Sequence, residues 1–362
     1  MEKFNFRKVD FLPTGSAELV PIYLRFSAVG SAISMRGTLF FYFSDGVGYA
    51  YGSRIGIERL KKEMLAEPYA KLEAEFLTWK QTWDAYDEEL FEMATKIPVD
   101  LQKTWERLDN ISREIFVGSY KVEALDNFAE EIETFLLGAL EKKNIDSTLL
   151  SEIISPANYM INQQAAQDLK RVTKNEISKE AYLRKYWFLG GTWAGGELFD
   201  AQMLEKNLQN VPIEIDFEKR RSLHTLAENS LRKEVLEVIE ILRLLAVWRE
   251  ERKAQVQRFC LGYKKLVESI AEKIEVSHRV VEWSLREEFD QLVQKKEEIV
   301  KRRERSAFVF SEKWEDGILL NGDQTAEIFN EFALAEKTQE IKGTVACRGR
   351  VEGYGGPLCQ HS

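Results

Sequence analysis

The sequence predicts a mainly α protein, an irregular multi-helix assembly with a small N-terminal β element and a short β-containing C-terminal piece. Three observations lead there. In "YAKLEAEFLTWKQTWDAYDEELFEMATKI" (69–97), Leu72, Phe76, Trp79, Trp83, Tyr86 and Leu90 recur at steps of three and four, which makes one apolar stripe along a helix. The stretch from Phe217 to Ile274 carries the longest helical pattern in the chain. By contrast, "MRGTLFFYFSDGVGYAYG" (35–52) is rich in aromatic and β-forming residues, with glycine at 46, 48 and 52, and reads as a strand or hairpin.

The elements follow in chain order. Residues 1–53 form a small N-terminal α/β element. "RIGIERLKKEMLAEP" then opens a helical domain that runs over 54–305. Pro68, Pro98 and Pro156 fall between helical patterns, where proline suits a first turn or a boundary. "VEALDNFAEEIETFLLGAL" (122–140) repeats the apolar stripe. The 217–274 stretch is too long for an ordinary globular helix. It predicts either one long antiparallel arm or two helices meeting near Trp248–Arg252. "SLREEFDQLV" predicts a capping box, Ser284 accepting from the backbone three residues on and Glu287 reaching back. The basic end "KRRER" (301–305) suits the negative end of a helix dipole. From 306 to 362 the texture changes: a strand, a turn at Asp316-Gly317, a second strand and a short helix come first.

Bulk composition narrows the function. The chain has 362 residues, 44% hydrophobic and 31% charged, as in ordinary globular proteins. A net charge of −9 argues against a general nucleic-acid binder, because phosphate contacts need a basic surface. No apolar run approaches the roughly 18 residues of a membrane span, and the N-terminus lacks an apolar signal-peptide core. Three cysteines, Cys260, Cys347 and Cys359, are too few for a disulfide framework. A cytoplasmic location is the resulting expectation, with no membrane and no nucleic acid among the partners.

Residue chemistry yields no catalytic, cofactor-binding or metal-binding residues. No phosphate loop, zinc helix or nucleophile elbow is present. "GVGYAYG" and "LGGTWAGGE" are glycine-rich, but turns are what such spacings usually make. Glu275-x-x-His278 has the spacing of a di-iron carboxylate bundle, which needs a second such pair, and His224 has no glutamate three residues before it. Cys347, Cys359 and His361 lack the tight paired spacing of zinc ligands. Glu130, Glu131 and Glu133 read as the solvated face of a helix, "KRRER" as an isolated basic run, and Trp79–Trp83–Tyr86 as core.

One stretch carries a resemblance. "EIKGTVACRGRVEG" (340–353) resembles the start of the mobile phosphohistidine domain of phosphoenolpyruvate-utilising enzymes, the group of phosphoenolpyruvate synthase and pyruvate phosphate dikinase. That domain opens with I-x-G-x-x-A-S-P-G-x-V-x-G. Ile341, Gly343, Ala346, Gly349, Val351 and Gly353 match it, while Cys347 and Arg348 replace serine and proline. Residues 245–293, with R-E-x-R-K at 249–253, look like the helical connector of synthase-like members, and 317–332 is similar to the element before the mobile domain. Residues 180–210 are also similar to a family segment.

The resemblance implies phosphoryl transfer between ATP and pyruvate or phosphoenolpyruvate in the complete family. There a histidine in a T-x-S-H-x-A context carries the phosphoryl group by nucleophilic catalysis. His224, His278 and His361 do not have that context, so no catalytic residue is carried over. The expectation is the helical portion of such a phosphotransferase, truncated or frame-shifted near Gly353 and inactive alone. Its partner would be a separately encoded nucleotide-binding or phosphohistidine domain. The alternative is a non-catalytic helical scaffold or interaction protein.

Overall fold

The computed structural model describes residues 6–18, 28, 32–33, 35–116, 122, 129–157, 160–209, 217–311, 314–320 and 322–333. The fold is mainly α, as the sequence predicts. Strand β1 (Phe11–Glu18), β2 (Leu39–Ser44) and β3 (Val47–Ser53) lead into helices α1 (Arg54–Ala66), α2 (Tyr69–Thr95), α3 (Leu101–Phe116) and α4 (Ala129–Glu141). Next come α5 (Leu150–Ile153), α6 (Ile161–Thr173), α7 (Lys179–Lys185), a hairpin of β4 (Gly191–Thr192) and β5 (Gly195–Gly196), and α8 (Ala201–Leu208). Helices α9 (Phe217–Ser230), α10 (Lys233–Lys273), α11 (His278–Glu282) and α12 (Leu292–Lys301) complete the helical body. Strands β6 (Arg305–Ser311) and β7 (Trp314–Leu319) and helix α13 (Gly322–Ile328) follow.

Helix α10 is the shaft of the molecule. Its 41 residues span about 60 Å. Residues on all its sides are buried, from Val235 and Ile239 through Trp248 and Phe259 to Leu266 and Ile270, as in a helix surrounded by others. The main partner is α2, whose stripe packs against it. The Phe76 and Trp79 rings lie 5.7 Å from Trp248, Lys80 approaches Glu251 at 3.7 Å, and Arg258 Nε pairs with Asp87 Oδ1 at 2.8 Å. Contact positions advance together along both helices, so the pair is parallel, not antiparallel.

Of the two alternatives for 217–274, the meeting of two helices near Trp248–Arg252 is absent. Trp248, Glu251 and Arg252 are buried inside the continuous α10, and the interruption comes earlier, at Leu231–Arg232 between α9 and α10. Glu251 meets Lys80 on α2, and Glu250 pairs with Lys253 and Asn162, so the charged run sits within the helix.

The five-stranded sheet is antiparallel, in the order β1-β3-β2-β6-β7. The hairpin of β2 and β3 turns at Asp45-Gly46, both in the left-handed region (φ 51° and 86°), the conformation that a two-residue hairpin of this hand requires. Strand β2 pairs with β6 from Leu39↔Phe310 to Ser44↔Arg305. The β segments expected at the two ends of the chain therefore form one sheet.

Alternation along β2 divides the core. Leu39, Phe41 and Phe43 join the helical body, where Phe43 meets Trp283 at 4.8 Å. Phe40 and Tyr42 face a second cluster with Phe6, Tyr51, Val309, Ile328 and Phe332. Asp316-Gly317 lie inside β7, which pairs antiparallel with β6 from Phe308↔Leu319 to Ser311↔Trp314, so the turn expected at 316–317 is strand.

The capping arrangement is shifted by one residue. Leu285 N–H donates to Glu288 Oε2 at 2.8 Å, while the Ser284 hydroxyl donates to the Val281 carbonyl at 2.8 Å. Arg302 explains the shift. Its Nη1 and Nη2 each reach Glu288 at 2.6 Å, holding that carboxylate over the turn. No helix of the described residues is long and apolar enough to cross a membrane.

Candidate functional site

A cleft of about 300 Å³ lies where the N-terminal turns of α2 approach the first half of α10. Helix α2 begins after Pro68, whose fixed φ suits a helix start. Tyr69, Glu73, Phe76 and Leu77 then occupy one face of it. The facing side of α10 supplies Glu240, Arg243, Leu244 and Val247, again at steps of three and four. His224 from α9 and the Pro156–Ala157 segment complete the lining.

Two arginines fix that segment. Arg243 donates from Nε (3.0 Å) and Nη2 (2.7 Å) to the Ile153 carbonyl, and its Nη1 donates to Glu240. Arg220 donates from Nη1 to the Pro156 carbonyl at 3.1 Å and from Nε to Glu152 at 3.2 Å. The Ile153 carbonyl, at the end of the short helix α5, and the Pro156 carbonyl beyond it are thereby satisfied by side chains.

Electrostatics in the cleft is uneven. Tyr69 donates to Glu73 Oε1 at 2.9 Å. Burial, and then that bond to a carboxylate, push the Tyr69 hydroxyl up to about 12. His224 is 7% exposed. Burial and the nearby Arg243 charge lower its pKa from the ordinary value and outweigh the backbone groups of Glu152 and Ser155 and the carboxylate of Glu240, which favour the cation. The imidazole is therefore neutral at pH 7, and its Nε2 has no hydrogen-bond partner among the described residues.

The residues weighed from sequence fare differently. Among the described residues, His224 is the histidine brought into the cleft. Glu275 and His278 are exposed and do not share a helical face, because α10 ends at Lys273 and Glu275 turns into the left-handed region (φ 56°). Cys260 is fully buried, and burial pushes its thiol up to about 12, which suits a core residue and not a nucleophile. Glu131 and Glu133 are exposed, with Glu131 paired to Lys61. The side chain of Glu130, like Cys347, Cys359, His361 and the whole 340–353 stretch, lies outside the described residues. The "KRRER" run is not a uniform surface patch, since Arg302 is 5% exposed and bound to Glu288.

The glycine-rich "LGGTWAGGE" is the β4–β5 hairpin, held against α10 by Gln257 Nε2 to the Gly191 carbonyl (3.0 Å) and Lys264 Nζ to the Gly196 carbonyl (2.7 Å). Gly196 has φ 71°, and a Cβ there would stand 2.3 Å from the Gly190 carbonyl oxygen. These glycines serve a tight backbone crossing.

Sequence inspection does not select Tyr69, Glu73, Glu240 or Arg243. The available signal is Tyr69-x3-Glu73, one turn apart at the start of a helix after proline. What it cannot show is the parallel register that sets Glu240 and Arg243 opposite. Among the described residues no group of three His, Cys, Asp or Glu could hold a metal ion. No family model, no curated protein and no solved structure matches the chain.

Proposed function

We propose that the chain is the helical portion of a phosphotransferase of the phosphoenolpyruvate synthase type, and that it positions a mobile phosphohistidine domain without turnover of its own. The observation that carries this is the "EIKGTVACRGRVEG" stretch, with six of the family's positions matched in order. The fold supports it at the level of mechanics. A long, ion-paired helix shaft and a sheet packed on both faces make a stiff support, which suits a part that must hold a swinging domain in place. Phosphoryl transfer depends on in-line placement and pre-aimed charge, so a rigid support has a physical use in that chemistry. The partner on this proposal is a nucleotide-binding or phosphohistidine domain in the cytoplasm. A fully buried free thiol at Cys260 is at ease in that reducing setting.

The 362-residue chain has no histidine in a T-x-S-H-x-A context, so it accepts no phosphoryl group by itself. Incubation with labelled phosphoenolpyruvate, and separately with ATP, followed by acid treatment, checks this, because phosphohistidine is acid-labile. Stoichiometric acid-labile label on the purified chain would overturn the proposal. A reading frame beside this one that encodes T-x-S-H-x-A supports it. A gene standing alone favours instead a helical scaffold outside phosphoryl transfer.

A further inference from the structure

We propose that the cleft between α2 and α10 binds a small organic ammonium ion through Glu73 and Glu240, with the apolar body of the ligand lying against Phe76, Leu77, Leu244 and Val247. The proposal does not rest on the phosphotransferase assignment.

Hydrogen-bond accounting is the first ground. Most of the donors that line the cleft are committed to the protein. Three of the five N–H groups of Arg243 donate to the protein, two to the Ile153 carbonyl and one to Glu240. The Tyr69 hydroxyl hydrogen goes to Glu73. The larger part of the open capacity is acceptor capacity. Glu73 and Glu240 each keep one carboxylate oxygen without a donor among the described residues. The nine-tenths buried His224 adds an unpartnered Nε2, which in a neutral imidazole whose other nitrogen carries the hydrogen is an acceptor. An occupant that satisfies the two carboxylates brings N–H donors.

Charge is the second ground. Two carboxylates face one guanidinium, and His224 is uncharged, so the lining carries one net negative charge. An anion entering it would meet repulsion in a partly desolvated space, where charge pairs act more strongly than in water. A bare metal ion does not fit either, since these residues form no three-ligand group.

Shape is the third. About 300 Å³ stands at the small end of ligand pockets, which run roughly 300–1,000 Å³. One side of the cleft is aliphatic and aromatic, and the Phe76 ring can face a cation as well as a hydrocarbon. A ring or short chain ending in a primary ammonium matches all three grounds.

The test uses the full chain and three probes of one shape: 2-phenylethylamine, 3-phenylpropionate and 2-phenylethanol, followed at pH 7 by saturation-transfer NMR and by the His224 ring proton signal, assigned with His224→Gln. The amine is expected to bind saturably and shift the His224 signal, with the carboxylate and the alcohol at least tenfold weaker. Glu240→Gln and Glu73→Gln should each weaken amine binding at least fivefold, with circular dichroism confirming the fold. Glu73→Gln retains an acceptor for Tyr69 and serves if Glu240→Gln does not fold. Equal binding of the alcohol, an amine Kd within twofold of wild type in the folded variants, or no binding of the amine would each overturn the proposal.

Discussion

Glu288 and Arg302 show how one buried pair shapes a turn. The Glu288 carboxylate accepts two bonds from Arg302 and one from the Leu285 amide, while Arg302 also donates to the Trp283 carbonyl at 3.2 Å. Burial opposes ionisation of Glu288, but the Arg302 and Leu285 donors outweigh it and hold the carboxyl below its ordinary value. Glu288→Gln leaves the buried Arg302 guanidinium with only the exposed Glu298 at 3.6 Å as counter-charge and should cost about 3 kcal/mol in denaturant unfolding. Because the folded pKa is depressed, the contribution is present above the unfolded value of about 4.3 and is lost as pH falls below it. The variant should therefore show a weaker acid-side loss of stability than the wild type. His224 gives a second pH dependence at milder acidity. Its folded pKa is lowered, so below the unfolded value of about 6.5 the unfolded chain binds a proton that the folded chain refuses. Stability should fall as pH drops from about 6.5 toward 5, and His224→Gln should flatten that part of a pH series of melting curves.

At the scale of elements, the α2–α10 pair carries the helical body. Trp248 is 2% exposed and sits between Phe76 and Trp79, and Arg258 lies 3.6 Å over the Phe188 ring while pairing with Asp87. Burial raises the Glu251 carboxyl from its ordinary value, against the pull of Lys80. Hydrophobic contact supplies most of the stabilisation here, and the buried charges fix which turn of α2 meets which turn of α10. Trp248→Ala should cost about 3–5 kcal/mol, measured by chemical unfolding, through lost transfer energy and the cavity left behind. A loss under 1 kcal/mol would mean that the two helices do not depend on this contact.

For the whole molecule, the sheet is the tie between chain ends. Strand β2 is central and buried on both faces, and its outer partner is β6, from the other end of the helical body. Removing residues 305–333 would leave Phe40, Phe41 and Phe43 on an open edge, which invites pairing with other chains. A chain ending at residue 304 should lose its cooperative unfolding transition and aggregate, as read by melting and size-exclusion chromatography. Adding residues 305–333 as a peptide should recover part of the transition. A fully cooperative 1–304 fragment would show that the helical body folds without the tie.

Local pattern alone settled the class of this protein and most of its elements. The spacing of Leu72, Phe76, Trp79 and Trp83 demands a helix with one buried face, and "LFFYFSDGVGYAYG" reads as a strand or hairpin, because both follow from side-chain period and turn chemistry within a few residues. The cleft was illegible for the opposite reason. Tyr69 and Glu73 look like surface residues of a helix start, and Glu240 and Arg243 like a charged stripe, until parallel packing sets them face to face. The same holds for Trp248–Arg252, where one of two readings of the sequence has two helices meeting, and which is continuous helix in the fold, with Trp248 packed on α2 and Glu251 near Lys80. Pairing of β2 with β6 and the inward turn of Arg302 also belong to the tertiary structure alone. Period and turn chemistry act over a few residues, whereas register, burial and the pairing of charges depend on which distant segment arrives opposite.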